Sequence, residues 1–338
     1  YIDERRFKFI QSNVSLSDWG NMFMRVFGNN AKIGMAFWIA TIFRDLILRY
    51  FQNFPILNLF GPKGTGKSQM AVSLCYLFGE KQAPYNIHNG TKPGLAEHLQ
   101  QFANAFAWVD EYKNNIEYDK IETLKSIYDA IGRSRLNLDK GRKKETTNVN
   151  SGVILSGQEM PTADVALFSR VIFLMFNQTE FSDTEKNQYD LLKKTEAKGL
   201  SHITSGIIKH RKYFEENFYD TYQETLTDFN EYFAHNPVED RIMRSMVSIV
   251  AAWRTINQVV SFPFTYIELL EVGCKSVEYQ NAQISKSNEI GMFWNLLESL
   301  FDENLIQDKF HFRVDYVDSI KTKHSVISLP QPASVLKF

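Results

Sequence analysis

Gly61-Pro62-Lys63-Gly64-Thr65-Gly66-Lys67-Ser68 reads GPKGTGKS, with the apolar run Ile56–Phe60 (ILNLF) before it and Gln69–Phe78 after it. The first flank has the length and composition of a buried strand. The second carries Met70, Leu74 and Leu77 at helical spacing and is closed by Gly79. Strand, glycine-rich loop and helix in that order make a phosphate-binding device. Gly61, Gly64 and Gly66 let the backbone turn its amides inward, and the helix N-terminus adds partial positive charge. Lys67 is expected to reach the β and γ phosphates of ATP, and the Ser68 hydroxyl to join a Mg2+ shell. Pro62, Lys63, Thr65 and Gln69 complete the expected nucleotide-binding stretch.

Downstream the alternation continues. Thr91 is placed to cap a helix with Pro93 in its first turn and Leu95, Leu99 and Phe102 as its apolar stripe. Ala105–Val109 (AFAWV) reads as a second buried strand. Ile121, Leu124, Ile127, Tyr128 and Ile131 predict a helix closed by Gly132, and Gly152–Ser156 and Val171–Phe176 predict two further strands. Continuous apolar strands separated by helices indicate a parallel sheet covered on both faces, placed at residues 53–178. Residues 1–52 read as helical. Ser15 or Ser17 caps a helix ending at Gly28, and a long buried helix follows over Ile33–Tyr50. After the core come helices at 184–195, 200–217, 219–234 and 238–260, giving a helical region over 179–262. Residues 263–338 then form a small C-terminal unit, α/β or winged-helix-like, with Ile290–Phe301 as a helix and Phe310–Tyr316 as a strand.

The 338 residues are 44% apolar and 23% charged, as in ordinary globular proteins, with a net charge of −1. That balance gives no global attraction to nucleic acid, so any such binding rests on a local basic patch. Cys75 and Cys274 fit no metal spacing, and their isolation sets the expectation of a reducing, cytoplasmic compartment. The most apolar run, Ile33–Phe43, is interrupted by Arg44 and Asp45 well short of the roughly 20 residues of a membrane span. No signal peptide is visible. The first residue is Tyr1 rather than Met, which sets the expectation of a longer parent protein.

The strand Ala105–Val109 delivers Asp110 and Glu111 at its end. Carboxylates carried by a buried strand are costly unless they have a task. Beside a phosphate loop, Asp110 is the expected Mg2+ ligand and Glu111 the base that orients and deprotonates the attacking water. No Asn-Lys-x-Asp motif for reading guanine occurs, and the helical region after 180 leaves no room for a second α/β lobe. Gly152–Gln158 (GVILSGQ) ends a strand expected between the two nucleotide-binding strands. Ser156 and Gln158 are both candidates to touch the γ phosphate or the water, Gln158 preferred for its reach. Arg170, in Leu167–Arg170 (LFSR), precedes the last strand at the sheet's edge and is expected to enter a neighbouring subunit's site as an arginine finger.

With GPKGTGKS, the WVDEY around Asp110-Glu111, the ILSGQE segment and the FSRV around Arg170 in this order, the chain resembles the AAA+ P-loop ATPases. The likeness is to the helicase modules of bacterial mobile elements and phages, relatives of the superfamily III and MCM-like helicases. It covers about residues 50–180, with a weaker echo to 260. It implies Walker A, Walker B, sensor 1 and arginine-finger roles for these four stations, and a lid after 180. A sensor-2 arginine is implied on the helix carrying Arg241 and Arg244, with the choice between them open. Two features depart from the family pattern. Gln158 replaces the more common Asn, and the helical N-terminal region does not match the usual adenine-side element.

Between Gly132 and Gly152 lie Arg133, Arg135, Lys140, Arg142, Lys143 and Lys144, opposed by Asp139 and Glu145. A charge run of this kind is often only a solvated loop. The resemblance implies a hairpin here that projects into a ring's central channel, where basic side chains track a single-stranded or forked DNA backbone. Lys92 is a second basic candidate. The reading is a replicative-type DNA helicase or translocase, working as a homo-oligomeric ring, a hexamer by resemblance, with a primase or origin-binding domain in the same or a partner chain. The competing expectation is an AAA+ ATPase that remodels a protein or loads a replication factor. A structural, non-hydrolysing nucleotide clamp is a third.

Overall fold

The computed structural model describes residues 7–137, 143–177, 182–302, 313–319 and 322–328. The chain divides into two compact units, Tyr1–Ala282 and Gln283–Phe338.

The first unit opens with α1 (Leu16–Phe27), α2 (Asn29–Ile42) and α3 (Arg44–Phe51). The Ser15 hydroxyl caps α1 by accepting from the Asp18 amide at 3.0 Å. Apolar side chains surround α2 on all sides, which suits a helix buried between layers rather than one on a surface. It packs against the sheet on one side and a later helix on the other. The expected single helix over Ile33–Tyr50 is broken at Phe43, whose φ of −109° and ψ of 20° leave the helical region. The break aims Arg44 inward, where its guanidinium donates to the Val149 carbonyl at 2.8 Å. Asp45 then meets Arg211 and Asn104. These two charges interrupted the apolar run, and both are used as fold anchors.

The core follows as β1 (Ile56–Phe60), α4 (Lys67–Tyr76), β2 (Tyr85–Asn86), α5 (Lys92–Gln100), β3 (Ala103–Tyr112) and α6 (Tyr118–Tyr128). Next come β4 (Ile131–Asn137), β5 (Lys143–Asn148), β6 (Asn150–Gly157), α7 (Val165–Phe168) and β7 (Val171–Met175). Five strands form a parallel sheet in the order β2-β3-β6-β1-β7, so β6 stands between the phosphate-loop strand and the strand bearing Asp110. The two-residue β2 has no apolar run and leaves no periodic signal in the sequence.

The helix expected to run through Ile131 ends instead at Tyr128. Ala130 turns left-handed, at φ 53°, and Ile131 begins β4. Antiparallel β4 and β5 form a hairpin with Arg135 opposite Glu145, Leu136 opposite Lys144 and Asn137 opposite Lys143. Residues 138–142, with Lys140 and Arg142, lie outside the described residues.

Helices α8 (Asp183–Glu196), α9 (Ser201–Ile208), α10 (Arg211–Tyr232) and α11 (Asp240–Asn257) complete the region after the core. The boundary expected near 218 falls at 209–210 instead. Phe214 stacks on Phe43 with ring centroids 4.3 Å apart, and Phe214 on Phe218 at 4.7 Å, so α10 runs unbroken across that point. The last helix, α12 (Tyr266–Asp302), is continuous over 37 residues and contains the helix expected at Ile290–Phe301. In the second unit β8 (Arg313–Ser319) and β9 (Thr322–Ser328) pair as an antiparallel hairpin; Phe310 and Phe312 lie outside the described residues. No helix among the described residues is long and apolar enough to cross a membrane.

Candidate functional site

Gly61 follows β1 where the chain must pass close to the end of β7. A Cβ there would lie 2.1 Å from the Phe176 carbonyl oxygen, so no other residue fits. Gly66, at φ 97°, makes the left-handed turn that starts α4, and the Phe27 ring edge stands 3.8 Å from where its Cβ would be. The Thr65 hydroxyl closes the loop on the Pro62 carbonyl at 2.9 Å. Lys67 is 8% exposed, and its ammonium donates to the Gly61 carbonyl at 2.6 Å and the Pro62 carbonyl at 2.5 Å. Burial pulls the Lys67 pKa down, and the negative charges of Asp110 and Glu111 oppose that shift. Loop cation and strand-end carboxylates therefore share one electrostatic neighbourhood.

The two carboxylates reach that neighbourhood through a bulge. On β3, Val109 pairs with Leu155 and Tyr112 with Gly157, so Asp110 and Glu111 together stand opposite the single residue Ser156. Glu111 takes a φ of 62°, a left-handed conformation that a side chain with a Cβ seldom adopts. Such a bulge re-aims side chains at the end of a ladder. Here it leaves Asp110 half-buried and Glu111 exposed, although neighbours on a regular strand would face opposite sides of the sheet.

Between them the hydrogen bonding is directional. Trp108 Nε1 donates to Ser156 Oγ at 2.8 Å, and Ser156 Oγ donates to Asp110 Oδ1 at 2.5 Å. Of the two β6 candidates it is Ser156 that touches the acidic pair. Gln158 is exposed, and its neighbour Glu159 instead accepts from the Asn114 amide at 2.7 Å. The longer reach of Gln158 is spent toward solvent because β6 ends at Gly157 and the chain turns away.

A cavity of about 610 Å³ opens beside the loop. Gly64 to Gln69 form its floor, Met175 to Asn177 one side, and Glu185, Lys186, Gln188 and Tyr189 of α8 another. Its remaining wall is Arg25, Val26, Phe27 and Asn30, at the junction of α1 and α2. The helical N-terminal region, which matched no expected adenine-side element, thus lines the cavity. Asn30 is fixed there by donating to the Met175 carbonyl at 2.9 Å. Nothing in the sequence marked these residues, because a wall requires shape and not a motif.

Arg241 and Arg244 are not among the described residues lining this cavity. Arg241 donates to Ser169 Oγ at 3.0 Å, which sets it beside Arg170, and Arg244 pairs with Asp240 one turn earlier on α11 at 2.6 Å. Arg170 lies over the Tyr128 ring at 5.7 Å and donates to the Ala166 carbonyl at 2.6 Å. Burial raises the Tyr128 pKa, and the positive charges of Arg241 and Arg170 oppose that shift. Arg170, Tyr128, Ser169 and Arg241 form a cluster on the β7 edge. Lys92 is the first residue of α5 and pairs with Asp119 at 3.0 Å.

Ser68 and Asp110 offer a hydroxyl and a carboxylate, oxygen donors of the kind Mg2+ takes. Mg2+ that shares a nucleotide's phosphates needs only one or two protein carboxylates, and the acidic pair beside the loop meets that requirement. Among the described residues no three His, Cys, Asp or Glu side chains group into a separate metal cage.

No protein-family model and no curated protein matches the chain. Among solved structures, SCCmec type IV Cch, described as an active helicase, aligns with 93% of this chain at a TM-score of 0.65 and 14% identity. This chain covers 61% of that one. A structure of the JCV helicase matches 52% of each chain at 14% identity, with a TM-score of 0.31 that carries no structural inference. In fold, the chain is a mixed α/β protein built on a five-stranded parallel sheet, and it shares that architecture with the Cch helicase.

Proposed function

We propose that this chain hydrolyses ATP and uses the hydrolysis to move along single-stranded DNA, as a replicative-type helicase or translocase. The observation that carries the reading is the β3 bulge, which sets Asp110 and Glu111 opposite Ser156 and within the electrostatic reach of Lys67. The ATP base enters the cavity between the α1–α2 junction and α8, and the triphosphate lies along Gly61–Ser68. Lys67 exchanges its two loop carbonyls for the β and γ phosphate oxygens. Ser68 and Asp110 would hold Mg2+, which would supply charge neutralisation at the phosphates. Ser156 keeps Asp110 in register. Glu111 accepts a proton from water as the water oxygen attacks the γ phosphorus, and the bond to the β-phosphate oxygen breaks with ADP as the leaving group.

Arg170 stands on an edge and not in its own cavity, so it serves the site of an adjacent subunit. That makes the working form a homo-oligomer, a ring in the simplest closed arrangement. Arg241, beside it, belongs to the same face. The β4–β5 hairpin carries Arg133, Arg135, Lys143 and Lys144 on its strands, with Lys140 and Arg142 in the connecting segment, and takes the DNA backbone through charge.

The test is the ATPase rate with and without single-stranded DNA, together with DNA binding at low salt. DNA stimulation that is lost on changing Lys143 and Lys144 to Ala supports the reading. No stimulation and no binding would end it.

A further inference from the structure

Residues 168–171 hold a cation on an exposed edge, and their backbone is accounted for group by group. The Arg170 amide donates to the Leu167 carbonyl at 2.9 Å, and the Arg170 carbonyl accepts from the Ile56 amide at 3.2 Å. The carbonyls on either side, Phe168 and Val171, both accept from one side-chain nitrogen. Gln280 Nε2 donates to each at 2.8 Å. A primary amide has two N–H donors, and here both are used across the residue that bears the guanidinium.

Gln280 belongs to α12, more than a hundred positions away in sequence, and is 1% exposed. Cys274 and Val277, on the same helix, are fully buried. An apolar residue at 280 would continue that packing face, whereas a buried amide costs free energy unless its partners are present. The amide is therefore matched to these two carbonyls and not to helix packing. Ser169 is held from another side by Arg241, so the segment is fixed by α11 and α12 together.

We propose that Gln280 is a positioning residue for Arg170: it clamps the backbone on both sides and sets the angle at which the guanidinium leaves the β7 edge. The proposal rests on the reading of Arg170 as a finger for a neighbouring subunit. Its consequence is that α12 determines finger geometry although no residue of α12 lines the nucleotide cavity among the described residues.

The experiment compares Gln280→Met with Arg170→Ala in the full chain, measuring kcat, KM for ATP, melting temperature and subunit mixing. A displacement of about 1 Å at a reacting centre costs on the order of a hundredfold in rate. Gln280→Met should therefore lower kcat by about that factor with KM for ATP unchanged. Mixed with Lys67→Ala subunits it should regain activity, as Arg170→Ala does, because the two defects lie on opposite sides of a shared site. A general folding defect would not sort into that complementation class. Should Gln280→Met fail to fold, Gln280→His keeps one N–H donor and should show the same pattern at a smaller size. A folded variant with unchanged kcat, with a raised KM, or without rescue by Lys67→Ala overturns the clamp. If Arg170→Ala itself gains nothing on mixing, it is the finger reading that fails, and the clamp fails with it.

Discussion

The loop around Lys67 and the edge around Arg170 each hold one cation, by opposite constructions. Lys67 is buried, bonded to two carbonyls from its own loop, and faces two carboxylates across the sheet. Arg170 is half-buried, rests on a ring and one carbonyl, and among the described residues pairs with no carboxylate. One cation sits within the field of two carboxylates. The other, among the described residues, has no opposite charge paired with it, as the proposed finger role requires. The carbonyls that hold Lys67 come from neighbours in sequence; the hold on Arg170 comes from β1, α6, α7, α11 and α12 meeting at one edge.

Removing the Lys67 ammonium has the largest expected effect. Lys67→Ala should abolish ATP binding and turnover, read by titration with a fluorescent ATP analogue; retained tight binding would break the contrast at its stronger end. Arg170→Ala should bind ATP normally and lose about a thousandfold in kcat, the lower range for an arginine finger. Loss of ATP affinity instead would mean that the edge serves its own cavity. Glu111→Gln should bind ATP and turn over a few hundredfold more slowly, as a missing general base does. Quench-flow measurement of the chemical step checks this.

Smaller effects test what supports the acidic pair and the cavity. Ser156→Ala removes a hydrogen bond to a carboxylate and orphans Trp108 Nε1, so kcat should fall about tenfold with little change in ATP affinity. Gln158→Ala, at an exposed position, should matter less than Ser156→Ala; the reverse order would restore the longer side chain as the contact.

The last test is of stability and concerns Glu196, at the end of α8. It is 2% exposed and accepts from Trp19 Nε1 at 3.4 Å. Burial pushes its pKa up to about 7 from 4.5, against hydrogen bonds from Ser73 and Trp19. Between those values the folded state binds more protons than the unfolded state, so stability falls as pH rises through that window. Glu196→Gln should therefore gain about 1–3 kcal/mol above about pH 7, with the gain shrinking toward about pH 5. Chemical denaturation at several pH values measures it.

Much of the core was legible. The strand–loop–helix around Gly61–Ser68 and the apolar strands at 105–109, 152–156 and 171–176 follow from local composition, and the sheet observed is parallel with β6 between β1 and β3. Less local features were not. A two-residue strand such as β2 has no periodicity, and the break at Phe43 needs Val149 and Arg211 as partners. Ile131 looked helical by spacing, yet Ala130 turns the chain before it. Length favours Gln158 as the contact, and only the bulge at Asp110-Glu111 shows why Ser156 is the residue opposite.

The sequence by itself determined the phosphate loop, because its chemistry needs contiguous amides, glycines and one lysine whose relations are set by the backbone. It also determined which strands are buried, because burial on both faces demands unbroken apolar runs. Only tertiary structure decided the cavity wall at Arg25–Asn30, the re-aiming of Glu111, and the hold of Gln280 on the Arg170 segment. Those depend on distances between atoms far apart in the chain, which folding sets and local composition does not record.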